Sequence, residues 1–269
     1  MAAKKYVCKV CGYVHEGKEA PSVCPVCKVG ASEFKAVEEG KKGLDTNSDI
    51  YAIIYSAVVV VIVAFLLAGV SSLLSPKQQD NIRLDKKKQI LASLNERNLA
   101  DAAAKYDELI KADYVVNADG NIVAQEGGFE VKNEDVNDGN LPLYIAEIDG
   151  ARKYIIPMPG KGLWGGIWGY IALEPDMNTV KGIVMDHSGE TPGLGAEITT
   201  SKVQGSFVGK TIFEGDDFVS VSMRKGGATN NHEVDAISGG TKTCDGVNAM
   251  LKTGLEGYLP YINANKSNK

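Results

Sequence analysis

The chain has 269 residues, 44% of them apolar and 23% charged, and a net charge of −5. This composition belongs to a folding chain and excludes wholesale disorder and a collagen-like repeat. The acidic balance excludes a nucleic-acid binder of the basic-patch kind, and a mean hydropathy of −0.11 excludes a polytopic membrane protein.

Four of the five cysteines fall in the first 27 residues, as Cys8-x-x-Cys11-Gly12 and Cys24-Pro25-x-Cys27. Two such pairs, twelve residues apart, supply four thiolates at tetrahedral spacing, so residues 1–36 read as a small metal module. Gly12 lets backbone amides turn toward sulfur. The competing reading, two disulfides, would require an oxidising compartment. Zinc and iron both suit four thiolates. His15 and Glu16, between the knuckles, read as surface residues.

Residues 37–49 are polar and glycine-containing, a linker. Residues 50–74 form one uncharged apolar run. As a helix it measures about 37 Å, enough to cross a hydrocarbon core of about 30 Å. A buried core helix is the alternative, but such helices carry a polar stripe. Lys41 and Lys42 flank the run on one side; Lys77, Arg83, Lys86, Lys87 and Lys88 flank it on the other. Counting basic residues alone places the C-terminal side in the cytoplasm, a weak rule where a whole domain follows.

Residues 76–269 form a domain large enough for its own core. Ile82, Leu84, Ile90, Leu91 and Leu94 predict an amphipathic helix after Pro76, and a second helix follows over 99–111. Asp119-Gly120 and Asp149-Gly150 mark the turns of two hairpins. Short strands then alternate with glycine-rich loops up to Ser238, and a closing helix begins at an Asp245 cap. The expected class is α+β.

Asp235-Ala-Ile-Ser238-Gly239-Gly240-Thr241-Lys-Thr243 precedes that helix. Small and hydroxyl-bearing residues before a helix N-terminus make an anion site; an ordinary glycine turn with a cap fits equally well. Cys244 follows, either as a thiolate favoured by the helix start or as a small buried residue, the plainer reading.

Two resemblances sharpen this picture. Residues 6–37 resemble the rubredoxin-type iron module at the end of rubrerythrins, which implies one iron held by Cys8, Cys11, Cys24 and Cys27, with Tyr6, Tyr13 and Phe34 packed around it. Residues 235–241 resemble the Asp-x-x-Ser-Gly-Ala-Thr signature at which FMN is esterified to threonine. That signature marks the C subunit of the sodium-translocating NADH:quinone reductase and the G subunit of the related Rnf complex. It implies Thr241 as covalent acceptor, with Asp235, Ser238, Gly239 and Gly240 around it and Thr243 as the second hydroxyl. Gly240 stands where alanine is usual. Lys161-Gly162-Leu163-Trp164-Gly165 and the stretch from His187 to Glu197 also match that family. They imply flavin contacts from Leu163, Trp164, Glu190, Thr191, Gly193 and Leu194. Core packing is the alternative for Trp164 and Trp168, and a loop hydrogen bond is the expected role of His187.

The sodium-pump likeness covers residues 47–261, and the metal head is an addition to that plan. It implies a single-pass subunit of a bacterial cytoplasmic membrane complex, with the flavin domain outside and the metal module in the cytoplasm. Its partners would be the other subunits, membrane lipid and a flavin transferase. The two redox centres would then lie at opposite faces, so electrons passing between them need carriers in partner subunits. With no nicotinamide fingerprint and one span, the chain would not be catalytic alone. A subunit of an Rnf-type ferredoxin:NAD oxidoreductase and a non-redox zinc-ribbon membrane adaptor are the alternatives.

Overall fold

The computed structural model describes residues 4–37, 46, 48–132, 135–136 and 139–266. Most of the expected linker, with Lys41 and Lys42, lies outside the described residues. The chain folds as two compact units, Met1–Ser75 and Pro76–Lys269.

In the first unit, β1 (Lys4–Cys8) pairs antiparallel with both β2 (Val14–Gly17) and β3 (Phe34–Val37). Of residues 4–37 only Cys8 and Cys24 are buried. So small a sheet has no apolar core of its own, and a bound metal is what such a module uses to fold.

Helix α1 (Asp49–Ser93) contains the apolar run. It is long and apolar enough to cross a membrane, and none of its most apolar window is buried. Phe65 and Leu73 are 76% and 80% exposed, which rules out the core-helix alternative. The helix does not break at Pro76. Proline costs an interior helix one hydrogen bond, here to the Ser72 carbonyl, and about 3 kcal/mol; the lysines, glutamines and leucines that follow carry the helix onward. The apolar run and the predicted amphipathic helix are therefore one element.

In the second unit, α2 (Ala102–Leu109) is capped by Asp101, whose side chain accepts from the Ala104 amide. Strands β4 (Ile110–Val116), β5 (Ile122–Ala124), β6 (Leu141–Ile148), β7 (Ala151–Lys161), β8 (Gly166–Leu173) and β9 (Val180–His187) build one antiparallel sheet, in the order β5-β4-β6-β7-β8-β9. Both predicted hairpins are present. Gly120 has φ +83°, and Asp149 and Gly150 have φ +52° and +75°, the left-handed pair of a tight hairpin turn.

The two sheet faces alternate with the strand period of two. Tyr144, Ile155 and Tyr170 face the end of α1 (Ile90, Leu91) and α2. Leu143, Ile156, Met158, Ile171 and Ile183 face the other way, onto α4 (Thr241–Glu256), through Val247, Met250, Leu251 and Leu255. Between β9 and α4 run α3 (Ser201–Gly205), the hairpin β10 (Phe213–Glu214) and β11 (Asp217–Phe218), and the parallel pair β12 (Ser222–Arg224) and β13 (Glu233–Asp235). Helix α5 (Leu259–Asn265) closes the chain. The α+β expectation holds. Helix α4 starts four residues before Asp245, with Gly240 at its N-cap, whose carbonyl accepts from the Cys244 amide. The left-handed Gly239 (φ +75°) turns the chain into the helix, so no aspartate cap is needed, and Asp245 instead meets Lys242 inside the first turns.

Candidate functional site

The metal module brings its four cysteines together. Their Sγ atoms all lie within 4.8 Å of one another. The Cys8–Cys27 and Cys11–Cys24 sulfurs are 3.6 and 3.5 Å apart, close to the edge of about 3.8 Å that four 2.3 Å metal–sulfur bonds define. None is disulfide-bonded. The knuckles turn through left-handed residues, Gly12 (φ +76°) and Lys28 (φ +61°). Backbone amides then reach sulfur: Tyr13 at Cys11, Val26 and Cys27 at Cys24, Val29 at Cys27. Burial opposes a Cys24 thiolate, yet these amides and the neighbouring cysteines bring its thiol down to about 7. The donor set fits a tetrahedral thiophilic metal. Tyr6, Tyr13 and Phe34 are half-buried.

The second site lies where α4 begins. Thr241 is its first residue and is exposed. Gly240, at the N-cap, has no side chain to take the first-turn amides, which leaves them for an external anion. Thr243, two residues on, is 1% exposed, and its hydroxyl donates to Glu190 Oε2 at 2.6 Å. The two hydroxyls thus stand in opposite situations, one open and one spent.

Glu190 links three segments. Its Oε1 accepts from the Trp164 amide at 2.9 Å while Oε2 holds Thr243. Burial alone would raise its carboxyl. The Thr243 hydroxyl and the Trp164 and Leu163 amides outweigh burial and hold it below the ordinary range. A β-carbon on Gly162 or Gly195 would strike this carboxylate, and one on Gly246 would strike the Lys161 carbonyl. Glycine at these places lets the 162–165 loop, the 190–195 turn and α4 close on one another. Glu190 thus braces the loop from inside, with one donor already on each of its oxygens.

On the two loops that Glu190 and Gly195 bring to the start of α4, three apolar side chains stand open: Leu163, Trp164 and Leu194, at 52%, 69% and 42% exposure. Leu194 lies over Gly239, where an added β-carbon would come within 2.6 Å of its Cδ2. Trp164 is thus not a core residue. Trp168 is half-buried, and its Nε1 donates to Gln89 Oε1 at 3.2 Å. Ser238, Gly239, Thr191 and Gly193 are exposed or half-buried, and Gly240 is buried. Asp235 accepts from the Ala228 amide at 2.7 Å, which places it with the 225–229 loop. His187 Nδ1 accepts from the Glu190 amide, the loop role expected of it. Cys244 is buried and its Sγ accepts from the Ile237 amide; burial pushes the thiol up, so it is no helix-start thiolate. Sequence reasoning missed Asn248, whose side chain pairs with both the amide and the carbonyl of Met223 and fixes α4 to β12.

An exposed hydroxyl at a helix start and open apolar side chains on the neighbouring loops suit a domain that binds a phosphate-bearing aromatic cofactor. The comparisons agree. The model of the FMN-binding domain matches residues 162–256, and that of the rubrerythrin, rubredoxin-like domain matches residues 6–35. The C subunit of the Na(+)-translocating NADH-quinone reductase of Pasteurella multocida is 34% identical over 74% of this chain and 87% of its own length. Its counterpart in Neisseria meningitidis serogroup B is 32% identical over 84% and 98%. The crystal structure of the counterpart from Parabacteroides distasonis superposes with a TM-score of 0.68 at 40% identity, covering 73% of this chain and 98% of its own.

The chain belongs to the family of C subunits of the Na+-translocating NADH-quinone reductase, with a rubredoxin-like module at its N-terminal end. That membership sets aside the Rnf-type alternative.

Proposed function

We propose that this chain relays electrons as the C subunit of a membrane-bound, sodium-translocating NADH:quinone reductase, through FMN esterified to Thr241. The observation that carries this reading is the contrast between the two threonines. Thr241 is exposed at the start of α4, and Thr243 has already given its hydroxyl to Glu190. When bound, FMN supplies the capacity to take up and pass on electrons, which no side chain here can do. The chain's own residues hold and shield it. Thr241 anchors the phosphate, and the α4 amides favour its charge. Leu163, Trp164 and Leu194 exclude water from the ring. Glu190 keeps the loop that carries two of those side chains in place from beneath.

The same reading puts one iron in the four-cysteine site, single-pass insertion in the bacterial inner membrane by residues 50–74, the metal module in the cytoplasm and the flavin domain outside. Other subunits of the complex supply the substrate and sodium sites, and a flavin transferase makes the ester. Two variants test the acceptor. Thr241→Ala should abolish flavin fluorescence that survives denaturation, and Thr243→Val should retain it. Full labelling of Thr241→Ala would overturn the assignment.

A further inference from the structure

The charge of the molecule is unevenly spread. Residues 4–37 carry six lysines (Lys4, Lys5, Lys9, Lys18, Lys28 and Lys35) against three glutamates (Glu16, Glu19 and Glu33), a net +3 in a chain of net −5. Lys5 is paired with Glu16. Lys9 and Lys28 sit in the knuckles themselves, beside Cys8 and Cys27, are exposed, and among the described residues meet no carboxylate.

The knuckle tips are also apolar. Val10 and Val26, each just before the second cysteine of its pair, are 61% and 63% exposed. The sulfurs' mutual distance of at most 4.8 Å sets the two tips side by side, and Cys11, on the first, is itself exposed. An apolar centre with a cationic rim is how a protein surface admits an oppositely charged partner. A lipid headgroup would need the lysines alone; the bare valines over an exposed metal ligand favour a protein that must come close to the metal.

We infer that the face formed by Lys9, Val10, Cys11, Val26 and Lys28 docks a small acidic one-electron carrier protein. The inference rests on the iron reading of the head. The carrier gives up one electron and the ferric site takes one, with no bond or proton exchanged. Association should be fast at low salt and weaken as salt screens the lysines.

The test uses the full chain in detergent, loaded either with zinc or with iron, and an acidic bacterial ferredoxin as probe, with basic cytochrome c as the control. In the zinc form, ferredoxin should bind with an affinity that falls at least tenfold between about 20 and about 200 mM salt, and cytochrome c should not bind. Lys9→Glu with Lys28→Glu should weaken ferredoxin binding at least tenfold. Val10→Ser with Val26→Ser should weaken it at unchanged salt slope. In the iron form, reduction by ferredoxin should slow in the same order. Equal binding of both probes, or no loss in the lysine variant, would overturn the inference. So would protection of Lys9 and Lys28 from acetylation in carrier-free protein, whether in detergent or in phosphatidylglycerol but not phosphatidylcholine nanodiscs. That result would assign the face to the chain itself or to lipid. Metal analysis of the protein from its own cells decides the iron reading separately, because the zinc arm needs no redox activity.

Discussion

Glu190 shows how one buried charge can organise a site made of loops. It is 4% exposed and has donors on both oxygens, so its removal strands a buried hydroxyl and an amide. Glu190→Ala should cost about 1–3 kcal/mol. Its carboxyl lies below the ordinary 4.5 in the folded chain, so its ionised form contributes stability in full above that value. The contribution is lost as the pH falls through the folded value. The stability gap between the native chain and Glu190→Gln should therefore narrow on acidification below about 4.5. Both tryptophans, Trp164 and Trp168, lie in the flavin domain, so tryptophan fluorescence reads that domain alone. A gap that widens toward acid would contradict the account.

The glycines of the attachment turn separate in the same way. At Gly239, a left-handed backbone and the Leu194 contact both oppose a side chain, so Gly239→Ala should sharply reduce covalent loading. At Gly240 the backbone is ordinary, and a new methyl would sit 3.1 Å from Ile237 Cγ2 and 3.3 Å from its Cβ, a tight fit relieved by a shift of a few tenths of an ångström. Gly240→Ala should keep its flavin at a cost of about 1 kcal/mol or less. In-gel fluorescence of the two variants distinguishes them. The sequence signature makes the threonine legible, but it says nothing of which hydroxyl is spent inside; that depends on a glutamate 53 residues away.

Among the elements, hairpins were the most legible, because Asp-Gly pairs dictate a turn by local sterics alone. The helix ends were less so. Pro76 reads as a stop and Asp245 as a cap, yet α1 runs through the first, and α4 starts ahead of the second. Helix formers on both sides outweigh one proline, and two glycines make the turn that an aspartate would otherwise mark. Helix α4 seats on β7 through Gly246, which abuts the Lys161 carbonyl. Gly246→Ala should push the helix off the 162–165 loop and cost about 1–3 kcal/mol of domain stability, read by thermal denaturation. The metal module behaves as a separate element. Cys24→Ser should abolish stoichiometric metal binding and unfold the head. The tryptophan-detected melting of the second unit should stay unchanged.

At the scale of the whole molecule, the chain joins a rubredoxin-like module, a helix long and apolar enough to cross a membrane and an FMN-binding-type domain, and this order was readable from cysteine spacing, hydropathy and one short signature. The internal braces were not readable, since Glu190, Asn248 and the close-approach glycines act only once distant segments meet. The central claim is that a hydroxyl at the start of α4 carries the cofactor. Peptide mass spectrometry of the chain isolated from its own membranes tests it most directly. The account predicts one FMN adduct on the peptide containing Thr241, with fragmentation placing it on that residue. An unmodified peptide, or an adduct placed on Thr243, would contradict it.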